Sequence, residues 1–321
     1  VANVKNNSIN KIIPIFIIII TIAGVIASLG LGTSQFIGGI NQYFNLDLGY
    51  KSILLTVSAI GIIGTLSALT GISKVIKYLA DFDMTFSLLL LLFIACFLNF
   101  NDYLYNTASA VYLYIVHFFE MSLSIGEFKT SEQFTEDWTV FYWAFWLAWV
   151  PFTGIFIARI SKGRTIREFL IATILVPAFA TILWFSVFAN NAFEISEHSS
   201  KTQFNSLYTS LFVFLEHYPL SIVTIFIAII LVLVSIINSV DSAIFVLGMF
   251  SDGGKENPSR KHKLFWGIII TTTAIGLSAV GTSNLLNAIS SLLTILALPF
   301  SILYLYIIIS FIVKLIKNPI K

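Results

Sequence analysis

The sequence predicts an all-α membrane protein, a polytopic helical bundle with eight transmembrane helices. Three observations lead there. Hydrophobic residues make up 57% of the 321 and charged residues only 11%, roughly half the charge of a soluble chain. Mean hydropathy is +0.92. Apolar runs long enough to cross about 30 Å of hydrocarbon recur along the whole chain, and the basic residues collect in alternate connections between them.

The runs fall at residues 12–36, 52–70, 84–100, 138–159, 168–189, 219–250, 264–281 and 287–313. In the first, Gly24, Ser28 and Gly32 repeat every four residues, a small-residue stripe that lets another backbone approach closely. The second and third are joined through Lys74 and Lys77. Residues 101–136 mix Tyr103, Tyr105, Tyr112, Phe118 and Phe119 with polar positions and predict an amphipathic helix along the membrane interface. A shorter one is expected at 205–217. The fourth run is rich in tryptophan and contains Pro151 and Gly154; the proline removes the hydrogen bond that would satisfy the Leu147 carbonyl. Thr165 and Glu168 form a capping box opening the fifth. The sixth carries Asn238-Ser239-Val240-Asp241-Ser242 within apolar sequence. A carboxylate at that depth marks either function or a capped structural position.

Charge orients the chain. With a cytoplasmic amino terminus, 15 of the 18 lysines and arginines face the cytoplasm and only Lys51, Lys129 and Lys201 face outward, as the positive-inside rule requires. Both termini are then cytoplasmic. Ten acidic residues lie outside, Asp241 lies in the membrane, and the other five, Asp83 among them, are assigned to the inside. The chain opens Val1-Ala2-Asn3 with no methionine and no signal-peptide pattern, which reads as the remainder of a longer protein.

Several functions are disfavoured. The single cysteine, Cys96, excludes a CxxC pair, and no HExxH surrounds His117, His198, His217 or His262. No GxSxG is present to suggest an enzyme acting on lipid. Neither a cofactor nor a nucleic-acid partner is expected.

The segment Asp137 to Trp149 holds four tryptophans and a tyrosine. At about 100° per residue, Trp138, Tyr142, Phe145, Trp146, Trp149 and Phe156 share roughly one third of the helix circumference, with Trp143 nearly opposite. Anchoring at the interface accounts for Trp138 and Tyr142. Trp146 and Trp149 lie about 12 to 17 Å deeper, where a ring face can hold an organic cation or simply pack. Geometry along one helix leaves both open.

The run Asp137-Trp138-Thr139-Val140-Phe141-Tyr142-Trp143-Ala144-Phe145-Trp146, followed by Phe156-Ile157-Ala158-Arg159-Ile160-Ser161-Lys162-Gly163-Arg164-Thr165-Ile166-Arg167-Glu168-Phe169, resembles the signature of the betaine/carnitine/choline transporter family. Ser28-Leu29-Gly30-Leu31-Gly32 and Asp241-Ser242-Ala243 are also similar to that family. The resemblance covers essentially the whole chain as a single, partial transporter domain, residues 1–321, and corresponds to the family's fifth to twelfth helices. It implies an inverted-repeat fold like that of the leucine and sodium symporters, alternating access around a midplane site, and a quaternary-ammonium cargo such as glycine betaine, choline or carnitine. By position, it implies that Trp146 is the box tryptophan, with Phe145 and Tyr142 on the same wall and Trp149 its neighbour along the pathway, while Phe152 and Phe156 line the cytoplasmic exit. A homotrimer in a bacterial cell membrane also follows from the resemblance.

Two departures from the family stand out. Its tandem Trp-Trp is Phe145-Trp146 here. Its sodium-coupled members have a Thr-Ser pair where this chain has Asn238 and Ser239, and two threonines where it has Thr21 and Val25. Sodium is therefore the expected coupling ion at one site, with sodium-independent exchange standing against it. An amino-acid symporter of the same fold and a non-transporting sensor or remnant are two further readings of the same sequence.

Overall fold

The computed structural model describes residues 7–70, 73–198, 204, 206–280 and 285–317. The described residues that lie in regular elements are all helical. The run predicted at 12–36 is one 38-residue helix, α1 (Asn7–Phe44). It is followed by α2 (Tyr50–Thr70) and α3 (Ser73–Ala95). Next come the short α4 (Phe100–Val116), α5 (Phe118–Leu123) and α6 (Glu132–Phe134). A wide π-type turn over Thr135–Val140 leads into α7 (Phe141–Ile160), the aromatic helix. Beyond it lie α8 (Ile166–Leu170), α9 (Val176–His198), α10 (Ser210–Glu216), α11 (Ser221–Ser251), α12 (Arg260–Val280) and α13 (Leu285–Lys317).

Each predicted run coincides with a helix. Among the described residues, seven helical stretches are long and apolar enough to span a membrane. The helix over the seventh run, α12, is the least apolar of the long helices: it opens Arg260-Lys261-His262-Lys263 and carries Thr271, Thr272 and Thr273 midway. It is nevertheless packed within the bundle, chiefly along α2. The threonines are satisfied locally, each hydroxyl donating to the carbonyl four residues earlier at 2.7 Å.

Two expectations need correction. The interfacial helix predicted over 101–136 is not continuous: it breaks at His117, and α4 lies at 78° to the Phe118–Phe128 stretch. None of the residues of α4 and α5 is buried. The second interfacial helix, expected at 205–217, is instead a buried plug. Phe212, Phe214 and Leu215 of α10 are within the core, because its consecutive apolar side chains find α1, α3 and α11 around them.

α1 is the central post. Three apolar clusters surround it: one with α2, α11 and α12 around Leu29, Ile60, Val240 and Ile270; one along its last turns, where Ile94, Val187 and Phe212 meet; and one with α7 and α13 around Ala27, Ala148 and Leu293. The predicted glycine stripe explains the close approaches. A methyl group on Gly24 would stand 3.1 Å from the Ala148 Cβ, and one on Gly32 would stand 2.6 Å from Ile236 Cγ1.

Candidate aromatic pathway

α7 is aimed by its small residues. Ala144 and Ala148 press against α1 and α13 together with Phe141. The helix runs unbroken through Pro151, and below it Phe152, with Trp149 and Ile155 beside it, enters the cluster shared by α1, α2, α11 and α12.

This placement divides the aromatic wall that periodicity puts on one face. Phe145, Trp149 and Phe152 form an inward row: the Phe145 and Trp149 ring centroids are 6.2 Å apart, and Trp149 meets Phe152 edge to face at 5.3 Å. Tyr142, Trp146 and Phe156 are exposed, Trp146 at 62%. Trp146 touches the row only through an edge contact with Phe145 at 6.2 Å. Residues 145, 149 and 152 follow the spacing that stays on one stripe, whereas 142 and 146 fall on its border; Phe156 continues the stripe and is exposed because it lies a turn beyond Phe152, toward the end of α7. Trp143, predicted to point away, is exposed as well.

One polar atom distinguishes the row. The Trp149 indole Nε1 is buried and has no hydrogen-bond partner among the described residues. A buried donor left so costs about 1–3 kcal/mol, which makes it a ready anchor for an acceptor that enters between the helices. At the outer end of α7, Trp138 stacks on Tyr142 with centroids 5.9 Å apart and planes 15° from parallel. Both rings, with Asp137, Phe141 and Tyr208, line a cavity of about 330 Å³ that also reaches Gln35 of α1. Aromatic surface therefore runs from this cavity along α7 to Phe152.

The residues aligned for an ion are not joined by hydrogen bonds among the described residues. Thr21 is buried with its hydroxyl oxygen unpaired. Val25, where a second threonine is expected in sodium-coupled relatives, packs among aliphatic side chains. Ser239 donates to the Ser235 carbonyl at 2.8 Å, and Asn238 is half-buried with no side-chain hydrogen bond among the described residues. No hydrogen bond joins Thr21 to either. Among the described residues there is no cluster of three histidine, cysteine or acidic side chains that could hold a metal ion. Asp241 is buried against α2, with one carboxyl oxygen unpaired.

A carboxylate that periodicity missed is Asp83. The hydropathic run begins at residue 84, but α3 begins at Ser73, so Asp83 lies within a spanning helix. Its flanking Phe82, Met84 and Phe86 are the signal that could have revealed it.

The relative sidedness of the loops is also visible. Arg159, at the end of α7, reaches Met249 near the end of α11, and its guanidinium lies 5.2 Å over the Phe245 ring. Gln42 bonds Glu216 at 2.7 Å at the opposite end of the bundle. The basic 159–167 and 252–263 connections thus share one end. The predicted capping box at Thr165 and Glu168 is present.

Comparison with known proteins agrees with this architecture. Residues 2–320 match the sequence profile described as BCCT, betaine/carnitine/choline family transporter. The chain is 39% identical over 318 residues to the glycine betaine transporter OpuD of Bacillus subtilis (strain 168), covering 98% of this chain and 61% of that protein. It is 35% identical to the betaine/ectoine transporter LcoP of Corynebacterium glutamicum, covering 96% and 50%. A glycine betaine/proline/choline/ectoine transporter of Vibrio parahaemolyticus is 34% identical, with 93% and 53% covered. The chain thus spans about half to three fifths of the length of these relatives. A profile match over essentially every residue, on a bundle of apolar spanning helices, places this multi-pass membrane chain in the betaine/carnitine/choline transporter family.

Proposed function

We propose that the protein to which this chain belongs is a secondary transporter that takes up a zwitterionic quaternary-ammonium solute, glycine betaine foremost, by alternating access within an inverted-repeat fold. The supporting observation is the inward row Phe145, Trp149 and Phe152 with its unpaired indole N–H. A trimethylammonium group has no N–H to donate and is held best by ring faces, at about 0.5 to 2 kcal/mol per face. A carboxylate on the same solute would accept from Trp149 Nε1. One ligand then satisfies both the rings and the orphan donor, which choline, lacking a carboxylate, does only in part.

In this reading the solute enters at the cavity under Trp138 and Tyr142 and passes inward. Trp146 offers an open ring face beside the row, and Phe156 lies beyond Phe152 toward the exit. The coupling cation is sodium or a proton, with exchange as the competing mode. Orientation follows the basic loops, which face the cytoplasm together with both chain ends. The assembly is a homotrimer, as the family resemblance implies. Competition uptake of labelled glycine betaine against unlabelled glycine betaine, choline and carnitine, with the full-length protein in proteoliposomes, tests the reading. Glycine betaine should compete most strongly, and failure of all three to compete would refute it.

A further inference from the structure

The aromatic row does not use Asp83, a carboxylate that lines a cavity of its own. The Ser235 hydroxyl donates to the Asp83 carboxylate at 2.9 Å, tying α3 to α11. Ser235 is close to the middle of the 31-residue α11, roughly 21 Å from its first residue and 24 Å from its last at 1.5 Å per residue. The carboxylate thereby lies level with the middle of α11 and inside the Tyr78–Ala95 span of α3, not in a loop.

Asp83, Ser87, Ser235 and Gln35 line a cavity of about 320 Å³ bounded by α1, α3, α9, α10 and α11. Among the described residues, Asp83 is the one ionisable side chain on its wall. What α1, α9, α10 and α11 add is Gln35, Ser235, the Trp184 ring and small or aliphatic residues, with no lysine, arginine or histidine. Nor does Asp83 take part in a salt bridge among the described residues. An intramembrane carboxylate ordinarily faces a cation or a polar cavity; here it has the cavity and one hydroxyl dipole. A carboxylate, two hydroxyls and an amide oxygen suit a hard cation. One negative charge balances one positive charge, which favours a monovalent ion over a divalent one.

The site also connects along α11. Ser239, one turn beyond Ser235, bonds the Ser235 carbonyl, so the pair aligned for an ion, Asn238 and Ser239, continues the same polar stretch. We propose that Asp83, with Ser87, Ser235 and Gln35, binds a monovalent cation, sodium or a proton, whose occupancy is coupled to the solute site. The coupling rests on the transport reading above, whereas the cation binding does not.

The test uses the purified full-length protein, wild type and Asp83→Asn, with Ser235→Ala as a second variant. Melting temperature is followed without solute, first against sodium at fixed pH with an inert organic cation as the control salt, then against pH without sodium. Cation binding to the folded state raises melting temperature by mass action. A sodium response identifies sodium, and a pH response alone identifies the proton. Either response, read above about pH 5 where the Asp252 carboxylate stays ionised, should be lost in Asp83→Asn and weakened in Ser235→Ala. Its persistence in Asp83→Asn, or its absence in the wild type, overturns the proposal. Glycine betaine affinity measured in parallel should rise about 10-fold with the cation in the wild type, within the range usual for coupled sites, and should not respond in Asp83→Asn. If Asp83→Asn does not fold, an unchanged cation response in Ser235→Ala overturns the proposal by itself. Absence of any quaternary-amine binding would defeat the transport reading and leave the cation result standing.

Discussion

Replacing Trp149 by phenylalanine in the full-length protein separates binding from packing. The substitution keeps an aromatic face between Phe145 and Phe152 and removes the buried, unpaired Nε1–H. Without solute, losing an unsatisfied donor should stabilise the protein by about 1 kcal/mol, offset in part by the smaller ring. With glycine betaine bound, the same N–H donates to a carboxylate, an interaction of about 1.5–3 kcal/mol. The affinity loss is then about 10- to 150-fold at 1.4 kcal/mol per decade. Choline carries no carboxylate and should lose only about 2-fold, the cost of a weaker ring quadrupole near 0.5 kcal/mol. Calorimetric titration of both ligands into wild-type and Trp149→Phe protein, with melting temperatures recorded alongside, reads all three quantities. Equal losses for the two ligands, or an unchanged glycine betaine affinity, would refute the carboxylate contact and leave Trp149 as packing.

Other outcomes follow from the packing and the loops. α2 and α12 cross through a reciprocal pair, Gly61 against Thr271 and Gly267 against Thr65, with each threonine hydroxyl donating to the carbonyl of the glycine four residues before it at 2.7 Å. Gly267→Ala should therefore destabilise by about 1–3 kcal/mol through overpacking, seen as a lower melting temperature in detergent, whereas Gly154→Ala, with open space around it, should not. In a Cys96→Ala background, a cysteine at exposed Ser131 should react with an impermeant thiol reagent added to intact cells and one at exposed Ser259 should not; external labelling at 259 would overturn the orientation. Ser200, expected on the outer side, lies outside the described residues. Asp252, just past α11, is held below the usual carboxylate range by the Lys255 ammonium at 2.7 Å and the Ser259 N–H at 2.8 Å. A depressed folded pKa means that its stabilisation of the 252–259 turn is present above the unfolded value and lost as pH falls through the folded one. Proteolysis at Gly253-Gly254 should therefore stay slow down to about pH 4 and accelerate below it, while Asp252→Asn should be cut readily throughout.

What the sequence by itself determined is the class, the helices and the family. Hydrophobic length is a local property, read residue by residue against the thickness of a bilayer, so every predicted run found its helix. Small-residue spacing and the Thr165 capping box are local too, and both appear as expected. Tertiary structure decided which side chains meet. Periodicity placed Trp146 and Trp149 on one wall, but the rotation of α7 is set by Ala144 and Ala148 seating against α1 and α13, which turns Trp149 inward and leaves Trp146 exposed. It decided that α10 is a plug, because amphipathic and buried short helices look alike until their neighbours are known. It also moved Asp83 from a loop into the span of α3, level with the middle of α11, as its bond to Ser235, 152 residues away in sequence, shows. Contacts of that range depend on how helices assemble, and no window along the chain contains both partners.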